Sequence, residues 1–235
     1  MFSGGKTTLD EARELVSDAE LWPRVRDFLW DFAPQVHESW LEDVCGRETM
    51  DPGREVGSSL VSSLSSSPRV KRFVLDKLGV EPFFFDFPRG DWSRLALLDG
   101  AALLEIAGWL GALACADDLR RVTDGTTVRE LKASLRGIYP DVFSFTAYFT
   151  GLDLAAKEIK DATVPEGVVA AGLDILFTLF DACPAPLVAR LKLKFPKRFC
   201  DLCALCGGTE RSAAGAAVKK LLKLKFPEAY SLCCL

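Results

Sequence analysis

The sequence predicts an all-α protein, and three observations carry that reading. Apolar residues recur at helical spacing, as in Leu103, Ile106, Ala107, Leu110 and Leu113, which is the i, i+3, i+4, i+7 pattern of a buried helix face. Helix punctuation flanks such stretches, with proline in first turns and glycine after last ones, as at Pro68 and Gly79. No stretch shows multi-strand alternation, and in the one run that alternates, Leu-Lys-Leu-Lys-Phe, the flanking periodicity is helical. With 235 residues, 49% of them hydrophobic, the chain can fill one sizeable core or two small ones. The expectation is a single compact multi-helix domain with a serine-rich linker or loop near the N-terminal third.

From the N-terminus, Thr8 with Glu11 has the pattern of a capping box, and Leu9, Ala12, Val16 and Ala19 follow at helical spacing, which predicts a first helix. Pro23 suits the first turn of a second, whose stripe is Val25, Phe28, Leu29 and Phe32 and which Pro34 interrupts. A third, short helix is expected over 35–44, completing an N-terminal helical region, 1–45. Over 46–67 the composition turns to Gly46, Pro52, Gly53, Gly57 and seven serines between Ser58 and Ser67, which disfavours a packed helix and predicts a flexible segment. The main helical domain is expected over 68–235. Pro68 opens a helix through Lys77, with Gly79 as its C-terminal cap. Over 81–90, Phe83, Phe84, Phe85 and Phe87 lie between Pro82 and Pro88, an aromatic loop that must pack on the body or on a partner to leave water.

The centre is the most strongly helical part, and there Gly100, Gly108 and Gly111 allow close helix contacts at some loss of helix propensity. Residues 119–122 lead to Asp124-Gly125, a stop and turn, and Thr126 or Thr127 is expected to cap the next helix, which carries Val128, Leu131 and Leu135. Pro140 restarts an aromatic-rich helix over 142–149, ended by Gly151. Pro165 opens 168–183, apolar on nearly all sides and therefore a central core helix. Pro184 and Pro186 separate it from Leu-Lys-Leu-Lys-Phe-Pro at 191–196, a hexapeptide that returns 31 residues later at 222–227. The echo continues past the proline, with Phe199 answering Tyr230 and Cys203 answering Cys234. Each copy reads as a basic amphipathic helix end, a break and an apolar restart. A solenoid needs about three such repeats, so the echo is local architecture.

Several function classes fall away. The apolar stretch 95–116 approaches membrane-spanning length, but Asp99 and Glu105 lie inside it, each costing about 2.5 to 3.5 kcal/mol near a bilayer centre. The stretch 168–180 is too short for a span and carries Asp174, and no signal-peptide pattern opens the chain, so a cytoplasmic protein is expected. Eight cysteines then read as reduced small hydrophobes or ligands rather than a disulfide framework. Cys200, Cys203 and Cys206 have the spacing that opens an iron–sulfur run, but the fourth cysteine and the proline are missing at the expected distance, leaving only Cys233 or Cys234 as distant ligands. The preferred reading packs Phe199, Cys200, Leu202, Cys203, Leu205 and Cys206 along one broad face of a buried helix, with no metal.

His37 is the single histidine, so every histidine-dependent base or zinc site would have to use it, and a partly solvated helix-surface residue is expected instead. Asp117 and Asp118 diverge at consecutive helical positions and read as surface charge. Gly4-Gly5-Lys6-Thr7 lacks the earlier glycine of a phosphate-binding loop, and Cys233-Cys234-Leu235 lacks the prenylation cysteine. No enzyme, no catalytic residue and no cofactor is expected.

The net charge is −4, yet 190–225 carries ten Lys and Arg against two acids, which is +8 there and −12 elsewhere. Arg190, Lys192, Lys194, Lys197 and Arg198 with Lys219, Lys220, Lys223 and Lys225 are the material of a phosphate-tracking surface, which makes a nucleic-acid-binding helical module one alternative and a Cys-ligated metal protein another. Against the first, no nucleic-acid motif accompanies these residues and the acidic remainder repels a polyanion. In the second copy Ala214, Ala217, Val218, Leu221 and Leu222 form an apolar stripe, with Lys219, Lys220 and Lys223 on the other side near the helix C-terminus, where cations oppose the dipole.

Leu97-Leu98-Asp99-Gly100-Ala101-Ala102-Leu103, the block Gly108-Trp109-Leu110-Gly111-Ala112-Leu113, Leu119-Arg120-Arg121-Val122 with Asp124-Gly125, and the closing Lys-Leu-Lys-Phe-Pro with Tyr230 together resemble the type III secretion accessory protein K family, the YscK/SctK-type sorting-platform proteins. The resemblance covers 92–235. It implies a cytoplasmic, largely helical adaptor without enzymatic activity, at the cytoplasmic face of the inner membrane. Such an adaptor links the cytoplasmic domain of the injectisome's inner-membrane ring protein to the pod-forming, C-ring-like protein. Aromatic anchoring and charge complementarity point to Phe83, Phe84, Phe85 and Phe87 on one face and Lys219, Lys220 and Lys223 on another as the partner-binding residues.

Overall fold

A computed structural model describes residues 18–45, 67–81, 92–152, 154, 162–203 and 209–233. The expected first helix at Thr8, the serine-rich stretch up to Ser66 and the phenylalanine loop lie outside them. The fold is all-α: the described residues form twelve α-helices and three short 3-10 turns, with no strand among them. The chain divides into two compact units, one made of Met1–Gly100 and Ala182–Lys197, the other of Ala101–Asp181 and Arg198–Leu235.

In the first unit, Asp18 accepts the backbone N–H groups of Glu20 and Leu21 at 3.0 and 2.9 Å and so caps α1 (Leu21–Trp30). This helix buries Leu21, Val25, Phe28 and Leu29, the expected stripe. Pro34 stands in the following 3-10 turn, Ala33–Gln35, and α2 covers Glu38–Cys45. α3 (Pro68–Lys77) ends as the sequence predicts: Gly79 takes φ +67°, its N–H donates to Asp76 O, and the Val80 N–H reaches back to Leu75 O. A 3-10 turn at Ser93–Leu97 and α9 (Ala185–Leu193) complete the unit. α3 packs on α2 and on the turn at Ala33–Gln35, and α1 packs on the turn at Ser93–Leu97.

The second unit is built on two helices that are apolar nearly all round, α4 (Gly100–Ala114) and α8 (Val164–Thr178). They cross where both lack a side chain. A Cβ on Gly111 would overlap the Val168 carbonyl oxygen, and one on Gly172 would overlap that of Ala107. Glycine is thus required by the approach of two backbones rather than by backbone conformation. α5 (Ala116–Arg121) and α6 (Gly125–Ser134) follow, and the cap of α6 corrects the expected one. Asp124, not Thr126 or Thr127, accepts the Thr127 N–H at 2.7 Å, which holds its carboxyl below the usual value.

α7 (Val142–Phe145) continues as a 3-10 turn to Phe149, and Gly151 turns the chain with φ +84°. α8 starts in a capping box that the sequence contains but that was not anticipated. Thr163 accepts the Glu166 N–H and Glu166 accepts the Thr163 N–H. Glu166 also binds the Arg198 guanidinium, and that contact first, with the Thr163 N–H, takes its carboxyl down to about 2. α8 stops at Thr178, short of the expected 183. α10 (Lys197–Cys203), α11 (Arg211–Lys225) and α12 (Pro227–Cys233) follow, α11 packing on α8 and α12 on α11.

Candidate interaction surface

The two copies of the hexapeptide share a local construction. α9 and α11 each end in the lysine-rich run, a proline breaks each, and a short helix follows. Proline lacks the N–H that would continue the ladder and pushes the residue before it out of helical backbone. Their environments differ, and that difference decides which copy carries a surface.

In the first copy Lys192 is exposed, but Lys194, with Arg190 just before the copy, points inward. Lys194 is 3% exposed. Its Nζ donates to Ala96 O at 2.6 Å and Leu98 O at 2.7 Å, with the Phe28 ring centroid 5.0 Å away. Burial pushes this ammonium down to about 7, opposed by the charge of Asp99. Arg190 is also buried: its Nη2 donates to Glu81 O at 2.7 Å, its guanidinium lies 5.9 Å from the Phe32 ring, and burial lowers it to about 10 against the pull of Glu81.

The segment is held from its other side too. The His37 N–H donates to Leu193 O at 2.8 Å, the Trp40 indole N–H donates to Phe195 O at 2.9 Å, and the Lys197 N–H donates to Ser39 Oγ at 3.0 Å. This copy therefore stitches three distant stretches of the first unit together. Arg190 and Lys194 do not line a cationic surface, because both are buried and donate to main-chain carbonyls, Arg190 to Glu81 O and Lys194 to Ala96 O and Leu98 O.

In the second copy the lysines stay outside. α11 buries Ala214, Ala217, Val218, Leu221 and Leu222, while Lys219, Lys220 and Lys223 are exposed on the opposite side, as their spacing predicts. Lys220 Nζ lies 5.8 Å from the Phe149 ring, and Lys225 Nζ lies 4.5 Å from Trp109 and 4.2 Å from Phe145. Among the described residues no acidic side chain is in ion-pair range of these four lysines, whereas Arg120 pairs with Asp117 at 2.8 Å and Arg121 with Asp118 at 3.3 Å. Positive charge without an acidic partner among the described residues thus gathers at Lys219, Lys220 and Lys223 on the exposed side of α11, while Lys225 is half-buried.

The remaining candidates are dispersed. Phe83, Phe84, Phe85 and Phe87 lie outside the described residues, as does Cys206. On α10, Leu202 and Cys203 are buried, with Phe199 and Cys200 half-buried, and the described residues hold no group of three or more His, Cys, Asp or Glu that could bind a metal ion. Half-buried His37 precedes α2 rather than lying on it, and its Nδ1 accepts the Ser39 N–H at 3.2 Å. Asp117 and Asp118 are exposed, as expected. A cleft of about 430 Å³ beside Leu113, Thr146 and Phe149 has only Asp117 and Arg120 as charged lining, paired with each other. Two exposed apolar side chains near the lysine face, Tyr148 at 53% and Leu224 at 43%, were not anticipated. Leu224 carried a signal, being the one leucine of the second hexapeptide that falls among the lysines.

Residues 33–139 match the family model of YOP proteins translocation protein K (YscK). No curated protein and no solved structure matches the chain. No helix of the described residues is long and apolar enough to cross a membrane. The helical fold agrees with what the sequence motifs implied, and the match, which spans under half of the chain, supports a YscK/SctK-type type III secretion protein; it takes in 33–91, which the motifs left unmatched, and stops short of the closing Lys-Leu-Lys-Phe-Pro with Tyr230.

Proposed function

We propose that this protein is a non-enzymatic cytoplasmic adaptor of a type III secretion sorting platform. It links the cytoplasmic domain of the inner-membrane ring protein to the pod-forming, C-ring-like protein, at the cytoplasmic face of the inner membrane. The observation that carries the reading, beside the family match, is the face of α11 on which Lys219, Lys220 and Lys223 stand exposed without acidic partners among the described residues. A bridge needs two separate grips, and Phe83, Phe84, Phe85 and Phe87 supply the second in this reading.

Co-purification from cells that carry the secretion genes tests it. The full chain is expected to retain both partners, and Lys219→Glu, Lys220→Glu and Lys223→Glu together are expected to release the pod protein while leaving the melting temperature unchanged. Binding to neither partner by the wild-type chain would end the adaptor reading. Undiminished binding by the triple variant would remove the lysine face from it.

A further inference from the structure

The same hexapeptide meets two fates. In the first copy Leu193, Lys194 and Phe195 are 5%, 3% and 0% exposed, roofed by the residues at 37–40 and by Phe28. At the matching positions of the second copy, Leu224 is 43% exposed and Lys225 and Phe226 are half-buried. The first copy shows what this peptide looks like when covered. The second is the same peptide with part of its cover missing.

The uncovered leucine is part of a larger surface. Phe145 lies 4.2 Å from Lys225 Nζ and 6.0 Å, ring to ring, from the exposed Tyr148, and Lys220 Nζ lies 5.8 Å from Phe149, so the end of α11 runs beside the end of α7 and the turn that carries Tyr148. Along α11, Lys220 and Leu224 are four residues apart and Lys223 lies three from Lys220, which places all three on one side of the helix. Helix-dipole compensation accounts for Lys223 and Lys225, which stand in the last turn, but not for Lys219 and Lys220, which precede it. An apolar centre rimmed by cations that have no acidic partner among the described residues has the composition of a protein-binding patch.

We propose that this face, with Leu224 and Tyr148 at its centre and Lys219, Lys220 and Lys223 at its rim, docks an acidic segment of a partner protein that inserts an aromatic or aliphatic side chain between the lysines. The inference rests on the adaptor reading and specifies the chemistry of one of its grips. Charge complementarity argues for acids, because exposed Lys219, Lys220 and Lys223 have no acidic side chain in ion-pair range among the described residues. The exposed aliphatic Leu224 argues for a protein rather than a nucleic acid, since an apolar centre with a polar rim is the anatomy of a protein interface.

The test measures binding of the full chain to the purified pod protein and to the purified ring cytoplasmic domain, at low and high salt. A Tyr148→Ser, Leu224→Ser double variant is expected to weaken one of these complexes about tenfold or more while keeping its salt dependence. The triple lysine reversal is expected to weaken the same complex and flatten its salt dependence. A photocrosslinking benzoylphenylalanine replacing Tyr148 is expected to capture a net-negative peptide of that partner, a readout that stands even if the serine variant fails to fold.

Wild-type affinity in the folded serine variant overturns the proposal and leaves the adaptor reading standing. So does a crosslink to a basic or uncharged peptide or to a second copy of this chain, or displacement of the partner by a random DNA duplex. A wild-type chain that binds neither partner removes the adaptor reading, and this inference with it.

Discussion

Lys194 shows how much one buried side chain can carry. Its amine spans Ala96 O and Leu98 O, and its folded-state value of about 7 lies well below that of an exposed lysine because burial disfavours the charged form, with Asp99 opposing. Between about pH 7 and the ordinary lysine value near 10, the unfolded chain binds a proton that the folded chain does not, so stability rises with pH through this window and is flat below it. Lys194→Met leaves both carbonyls without their donor. At pH 10 the variant is expected to be less stable by about 1 to 3 kcal/mol, and the gap should narrow as the pH falls toward 7. Denaturant titrations across that range check it, and a gap independent of pH would show an ordinary, solvated ammonium. None of this was legible in the sequence. Lys194 and Lys225 hold identical places in their hexapeptides, and whether a lysine is roofed depends on Phe28, some 166 residues upstream of Lys194, which no local pattern reports.

At the scale of elements, local chemistry was readable wherever it is self-contained. The Gly79 cap, the stripe of α1, the apolar wrap of α4 and the twin helix-break-helix units depend on residues within a few positions of one another, and each stands where its spacing places it. Asp124 displaced the expected threonine cap because its carboxylate, two residues before Thr126, accepts the Thr127 N–H and starts the helix at Gly125. The glycines were legible as close-contact residues, but their partners were not. Gly172→Ala is expected to force α4 and α8 apart, since the new methyl meets the Ala107 carbonyl and not a flexible side chain. A loss of about 3 kcal/mol or more is expected, read as a fall in melting temperature. Gly108→Ala should cost less, because its Cβ would meet the movable Ile138 Cδ1 at 2.8 Å. Equal melting temperatures for the two variants would contradict the crossing geometry.

The whole molecule is threaded so that neither unit is one continuous stretch of chain: residues up to 100 need 182–197, and 101–181 need 198–235. A fragment ending at residue 181 lacks Arg190 and Lys194 from the first unit and the α11 that packs on α8 in the second. Such a fragment is expected to show no cooperative unfolding transition by calorimetry, and a sharp one would show that one unit is self-sufficient. The threading also governs how the protein is made. A ribosome releases α4 and then α8, both greasy on all sides, long before the C-terminal helices that shield them have left the exit tunnel. Nascent chains therefore pass through a sticky, unfinished stage during the second half of their synthesis, so a holding chaperone should raise the yield of this protein more than that of a helical bundle folded in sequence order.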